Sequence, residues 1–337
     1  MSPQSRPVSV MESLLEVLPI AEGNRDVFVD TNRPNPKLTG QSDRVFGGIT
    51  LGQSLNAAQQ TVSPQFVAHS MHCTFVSGRH ATVAVEYHVE RIKDGRQFCV
   101  RGVRAAQGGR TFFVALVNFT TQSLGSLHYG NSFPHDVPTP PSENDDDDSS
   151  ANHKLPFLHH SVGIRLSSGD ALARIHQWMR AREPISTQNS PNTHAHLAAL
   201  ACMSDSYLLA GAPHSHGIYD FASPPVSEVY DGRHRLSLPS ETHRPIPRPH
   251  LNFPGSAPSN GRVTAMASLD HNLYFHDPAR LRADQWLLSE IHSSWAGGGR
   301  ALVHMKIWGR DGTLVASCTQ EGLVSIEDLP EAKDSRL

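Results

Sequence analysis

The chain writes one structural pattern twice, and this repetition restricts its fold more than any other feature. Residues 46–120 open with glycines at the mouth of an apolar helix, pass through a strand carrying His69-Ser70-Met71-His72, and continue into three long strands joined by tight turns. Residues 194–324 follow the same order: an apolar helix, a strand carrying Ser268-Leu269-Asp270-His271, then three strands with similar turn chemistry. Two like halves in one chain predict a two-fold arrangement. Ligand sites favour the interface between such halves, and chemistry is expected where the halves differ.

The strands are read from alternation. In 82–91, Val83, Val85, Tyr87 and Val89 alternate with other residues, which is the period of a pleated strand. Asp94-Gly95 and Gly108-Gly109 supply hairpin turns. Residues 111–119, TFFVALVNF, are apolar on both faces, as a central strand requires. In the second half, 286–295 and 301–308 read as strands joined by Gly297-Gly298-Gly299, and Asp311-Gly312 turns into 313–322. Short turns between consecutive strands make an antiparallel meander. The helix behind Phe46-Gly47-Gly48 carries Ile49, Leu51, Leu55, Ala57 and Ala58, so neighbours must pack closely around it. A curved sheet has to cover such a helix, which gives an α+β fold. Before it, Met11–Leu18 reads as a short helix and 27–29 as a strand.

A chain of 337 residues accommodates two such units. The expected division is a first repeat over 1–125, a linker over 126–156, a second repeat over 157–327 and a tail over 328–337. The linker is rich in Pro, Ser and Asp, includes the run Asp145–Asp148, and reads as disordered or loosely attached. Within the second repeat, 213–260 reads as a surface insertion, with Pro224-Pro225 and alternating prolines at 245–249. The formal net charge of -3 and the lack of a basic block argue against nucleic acid as a partner. No apolar run approaches about 18 residues, so no membrane span is expected. The first residues, MSPQSRPVSV, lack the apolar core of a secretory signal. The four cysteines lie singly in apolar segments, the pattern of reduced core thiols in an intracellular protein. Many of the 21 histidines fall in proline-rich stretches and no CxxC or HExxH spacing occurs, so neither a metal nor a cofactor is expected.

Three residues stand out chemically. Asp205 interrupts HLAALACMSDSYLLAGA, a segment apolar nearly all round and therefore read as a buried helix. A carboxylate there needs partners, or its pKa rises; otherwise Ser204-Asp205 is a cap or faces a solvent gap. The first helix offers Gln53 or Asn56 in the comparable region and no carboxylate. Gln320 continues the face of Leu314, Ala316 and Cys318, which places a buried amide in need of hydrogen bonds, unless the strand frays there into solvent. Ser268 lies on a strand with no G-x-S-x-G context, so it is either structural or polar machinery other than an activated nucleophile. Asp270 and His271 point to opposite faces of that strand and cannot form a dyad directly.

Phe46-Gly47-Gly48, Gly52-Gln53, the His69-Ser70…Phe75 strand, Ser268-Leu269-Asp270-His271, Trp286-Leu287-Leu288 and Gln320-Glu321-Gly322 together resemble the acyl-CoA thioesterase II family, peroxisomal branch. The resemblance covers about 45–120 and 195–325 in the same order and omits the linker and the insertion. It implies a double hotdog, in which each repeat is a long helix wrapped by an antiparallel sheet. It also implies hydrolysis of fatty acyl-CoA to fatty acid and CoA, with Asp205, Ser268 and Gln320 as the catalytic set. One departure is Ile49, where the family often has Gln after Gly48. Helix polarity places the N–H groups of Gly47 and Gly48 where a thioester oxygen could be bound. Arg44, Arg101, Arg104, Arg282 and Arg300 are equal candidates for the CoA phosphates. The hotdog sheet is often extended across subunits, so a homodimer or higher assembly is expected. The last residues, Ser335-Arg336-Leu337, are a conservative form of the S-K-L peroxisomal address, which implies an import receptor as partner. Two alternatives remain at this point. A hotdog enoyl-CoA hydratase would need an Asp/His pair, for which Asp270 and His276 offer poor spacing and context. A non-catalytic acyl-CoA-binding protein would keep the repeat for structure alone.

Overall fold

The computed structural model describes residues 8–20, 26–32, 45–121, 127–135, 137–142, 155–166, 173–185, 193–215, 218, 220–222 and 261–328. The first helix, α1 (Val10–Leu15), is shorter than expected. Ser9 and Glu12 close a capping box at its start, and the chain leaves the helix at Glu16. Pro19 disfavours a helical backbone at Leu18. Residues Val17–Pro19 instead form β1, paired antiparallel with β2 (Val27–Asp30).

The first repeat continues with α2 (Gly47–Gln59), β3 (Val67–Phe75), β4 (Glu86–Asp94), β5 (Phe98–Gln107) and β6 (Arg110–Thr120). The second comprises β7 (Phe157–Leu166), β8 (Ala173–Ala181), α3 (Thr193–Ser204), a short 3-10 turn at Leu208–Ala210, α4 (Gly211–Ser215), β9 (Asp220–Phe221), β10 (Gly261–Ser268), β11 (Asp270–Phe275), β12 (Leu287–Gly297), β13 (Arg300–Trp308) and β14 (Leu314–Asp328). Main-chain pairing joins the strands into one sheet in the order β1-β2-β4-β5-β6-β3-β11-β14-β13-β12-β8-β7. The order mirrors itself about the β3·β11 seam. Each half repeats the other, and the fold is the double hotdog. At the seam, His72 stands opposite Asn272 and their side chains are 3.0 Å apart. Gly108-Gly109 and Gly298-Gly299 both take positive φ at two successive residues, as tight hairpins joining twisted strands require. Strands β7 and β8 were not foreseen individually, although Ile175, Gln177 and Met179 alternate with Arg174, His176 and Trp178.

Helices α2 and α3 lie side by side and antiparallel within the sheet. Leu51, Leu55, Leu197 and Leu200 are fully buried, and each such side chain contributes about 1.5–3 kcal/mol by leaving water. The close approach depends on glycine. A Cβ at Gly48 would sit 2.2 Å from the Cys202 carbonyl oxygen, and one at Gly52 would sit 2.9 Å from that of Ala198. Ile49 is buried, so the position that departs from the family pattern serves the core.

The segment read as a loose linker is docked in part. Phe133 lies against Trp178 and Trp308, with ring centroids 6.3 Å away in each case. Val137 joins the apolar cluster of Trp178, Trp286 and Leu288. Trp308 donates its indole N–H to Asn131 O and Trp178 donates to Pro138 O, both at 3.2 Å. These aromatic side chains on the outer sheet face give the strap a partner that local composition could not reveal. Residues 143–154, 223–260 and 329–337 lie outside the described residues, so neither the acidic run, most of the expected insertion nor the terminal tripeptide is placed.

Candidate active site

Helix α3 ends at Ser204, so Asp205 is not within the helix but one residue beyond it. The reason is local. Ser204 Oγ donates to Ala201 O at 3.0 Å, and Ser206 donates to Met203 O from both its N–H and its hydroxyl. Such back-bonding satisfies the terminal carbonyls and stops the helix. The side chain of Asp205 is nevertheless only 5% exposed.

Ser268 and Gln320 arrive from adjacent strands. Ser268 ends β10, where it pairs with Gly322 of β14. The chain then bulges at Leu269, whose N–H donates to Glu321 O, before β11 resumes. Asp270 accepts from Glu321 N–H at 2.8 Å, which secures the bulge from the opposite face. Gln320 is mid-strand on β14 with 0% exposure, so the frayed-end alternative is ruled out.

These placements converge on one carboxylate oxygen. Gln320 Nε2 donates to Asp205 Oδ1 at 2.7 Å, and Ser268 Oγ donates to the same oxygen at 3.1 Å. Gln320 Nε2 also donates to Ser268 Oγ at 2.7 Å. The Gly48 backbone N–H donates to the Asp205 carboxylate as well. Helix α2 has no side-chain cap of its own at Phe46. Asp205 caps it from another element, where the N-terminal N–H groups favour an anion. Burial pushes the Asp205 carboxyl up to about 6, against the opposing pull of Gln320, Ser268 and Gly48.

Gly47 forms the wall over the second oxygen. A Cβ there would lie 2.7 Å from Asp205 Oδ2 and 3.0 Å from the Phe75 ring. Gly48 directs its N–H at the Asp205 carboxylate. Gln320 Oε1 is buried without a hydrogen-bond partner among the described residues. A buried amide acceptor requires a donor, and this one sits beside a carboxylate able to receive a proton.

The family is decided by the whole chain. The family model for the acyl-CoA thioesterase N-terminal domain matches residues 35–120, and the model for the acyl-CoA thioesterase C-terminal domain matches residues 134–324. The chain belongs to the acyl-CoA thioesterase II family. Among the relatives of this thioesterase, the acyl-coenzyme A thioesterase 8 of Mus musculus is 34% identical over 304 residues, covering 88% of this chain and 84% of the mouse protein. The acyl-CoA thioesterase 2 of Haemophilus influenzae is 24% identical, covering 85% of this chain and 89% of its own. Among solved structures, the acyl-CoA thioesterase II TesB2 of Mycobacterium marinum superposes with a TM-score of 0.64 at 27% identity, covering 96% of this chain and 99% of that one.

Other candidates in this thioesterase go elsewhere. Gln53 accepts from Arg79 at 2.9 Å and from Tyr87 at 2.6 Å, and Asn56 donates to Leu15 O. Both brace α2 and neither occupies a position equivalent to Asp205. Arg101 is buried, bonded to Thr61 and Asp94, and so is not available to a phosphate. Arg282 pairs with Asp284 and Arg300 with Glu321, whereas Arg104 is exposed; Arg44 lies outside the described residues. Sequence reasoning missed His159 and Ser206, and named His271 and Ser204 without joining them to Asp205; all four are hydrogen-bonded around the turn that bears it. The sequence signal for the two serines is the polar triplet Ser204-Asp205-Ser206 between two apolar runs.

Proposed function

We propose that this thioesterase hydrolyses fatty acyl-CoA with a water activated by Asp205, held by Ser268 and Gln320. The observation that carries this reading is the convergence of two side-chain donors on a single oxygen of a buried carboxylate. The ionised Asp205 takes a proton as the water oxygen attacks the thioester carbon. Gln320 Oε1 accepts a hydrogen bond from the other O–H of the water, which stays on the attacking oxygen, and fixes a lone pair toward the carbonyl. The carbonyl oxygen gains negative charge beside the Gly47 backbone at the mouth of α2, where an N-terminal N–H can stabilise it. The tetrahedral intermediate then collapses: the C–S bond breaks, Asp205 returns its proton to the departing sulfur, and fatty acid and CoA leave.

A base with its pKa raised to about 6 gives the acid limb of the pH profile. The rate should rise with pH through about 6 and level off above it, because only the ionised carboxylate accepts a proton. Thiol release measured across acyl-CoA lengths tests the assignment. Asp205→Asn should lower kcat by about 100- to 10,000-fold; unchanged turnover would remove Asp205 as the base. Tight acyl-CoA binding without thiol release by the wild type would support a non-catalytic binder instead. For the hydratase alternative, Asp270 is bonded to Glu321 N–H and His276 to Ser317 rather than to each other.

The proposal extends to a peroxisomal location. Its support is the tripeptide Ser335-Arg336-Leu337 and a relative named peroxisomal acyl-coenzyme A thioester hydrolase 1 from Saccharomyces cerevisiae, 30% identical over 122 residues. Import of a fluorescent fusion that depends on those three residues would carry this part; import without them would defeat it.

A further inference from the structure

Asp205 is flanked by two serines, and each meets a histidine, buried beside Ser204 and half-buried beside Ser206. Ser204 Oγ lies 2.9 Å from His271 Nε2, and Ser206 Oγ lies 2.6 Å from His159 Nε2. Each hydroxyl also lies within hydrogen-bond distance of a carbonyl oxygen, Ala201 O or Met203 O, which can only accept. A serine hydroxyl has one proton to give. Where the serine gives it to the carbonyl, the histidine carries its hydrogen on Nε2 and donates it to the serine. In a neutral ring this leaves Nδ1 bare. Nδ1 of His271 faces Asp205 Oδ1 at 3.9 Å.

We propose that Ser204 and Ser206 are positioning residues, which fix both the turn that carries Asp205 and the tautomer of the imidazole beside it. The proposal rests on Asp205 being the base. The two histidines come from different strands of the second repeat, β11 and β7, so the turn is clamped from two directions. Ser204 sets what Asp205 feels. With Nε2–H pinned, His271 presents a lone pair to the carboxylate rather than an N–H. A lone pair leaves the carboxylate unassisted and basic, whereas an N–H would stabilise the anion and weaken the base. Ser206 has a geometric task, since its histidine holds the far side of the turn.

The other groups around the carboxylate do not offset this. Burial keeps His271 neutral, its pKa lowered to about 3, and that of His159 is lowered to about 4. The thiols of Cys73, Cys202 and Cys318 feel the charge of Asp205 and are pushed upward by burial, so they stay protonated. Cys318 Sγ lies 3.2 Å from His271 Nε2 and 3.8 Å from Nδ1, so with the hydrogen on Nε2 the sulfur accepts a share of it. The remaining groups on the carboxylate are the neutral donors Ser268, Gln320 and the Gly48 N–H.

Imidazole 15N NMR and pH-dependent kinetics of the full chain test this together. In the wild type, His159 and His271 should both show the Nε2–H tautomer near neutral pH. Ser204→Ala frees His271 to place its hydrogen on Nδ1. Its acid limb in kcat/KM should move down by about one pH unit. Ser206→Ala should lower kcat by about ten- to a hundredfold, with KM within about twofold and the acid limb in place. His271→Gln, which keeps an N–H near Ser204, should restore more activity than His271→Ala. An Nδ1–H tautomer at either histidine in the wild type would overturn the proposal, even if the alanine variants do not fold. So would alanine variants with wild-type kcat and an unmoved acid limb. Failure of the base assignment has a separate signature, full turnover by Asp205→Asn, and leaves the tautomer measurement to stand by itself.

Discussion

A carboxylate held out of water is a liability to the fold and a resource for chemistry. Asp205 has its pKa raised to about 6 from an ordinary 3.8, mainly by burial. A group raised in the folded state costs nothing below its unfolded pKa. Its cost grows as pH rises from about 3.8 to about 6 and is complete above that. Asp205→Asn should therefore be more stable than the wild type at pH 7, by about 1–3 kcal/mol in a denaturant titration. The gain should vanish near pH 3.5; a gain independent of pH would show that packing, not charge, is responsible. Gln320→Leu should lower kcat by about a hundredfold or more, because it removes a donor to Asp205 and the acceptor proposed for water. The residue types at this site were legible: an acid, an amide and a hydroxyl stood in apolar segments without local partners. Their convergence on one oxygen was not, since it depends on a bulge at Leu269 and a helix stop after Ser204, neither of which leaves a periodic trace.

At the level of single elements, α2 is the part least tolerant of change. Its glycines let α3 approach, and its open N-terminus is capped by a side chain from the other repeat. Gly52→Ala would push a Cβ to 2.8 Å from Leu15 and 2.9 Å from Ala198 O. Overpacking of this kind costs about 1–3 kcal/mol, and the shift of α2 should also lower kcat by moving the Gly48 N–H from Asp205. Thermal melts and turnover should fall together in this variant; a loss of Tm with normal kcat would separate the helix from the site. Helix α2 was readable because glycines and small residues sit in an otherwise apolar run. The end of α3 was misread because MSDSYLL continues the apolar pattern past the true stop. The strap over 131–135 and 137–138 was read as loose because its own composition is polar and proline-rich, while its anchor is a set of tryptophans from far along the chain. Phe133→Ala should destabilise the second repeat by about 1–2 kcal/mol, a partial version of the cost of emptying a fully buried aromatic site.

The whole molecule carries several histidines that burial keeps neutral. Those of His159, His214 and His271 are lowered to between about 3 and 4. A histidine depressed in the folded state supports stability fully above about pH 6.5 and progressively less as pH falls toward its folded value. Unfolding below pH 6.5 therefore takes up protons at these three positions, while Asp205 works in the opposite sense by protonating first in the fold. Stability should decline from about pH 6.5 to about pH 4, by about 1.4 kcal/mol per pH unit for each net proton. Denaturant midpoints across this range check the direction, and a flat profile would show that the buried rings are not neutral. A last consequence concerns the β3·β11 seam. In a protein assembled from separate half-length chains, such a seam would be a bimolecular equilibrium, and dilution would dissolve the site. Here the partner strand arrives at the effective concentration of a tether. Activity per chain should thus be insensitive to dilution across the seam. Co-expressed halves cut between 121 and 127 should recover it only above a threshold concentration.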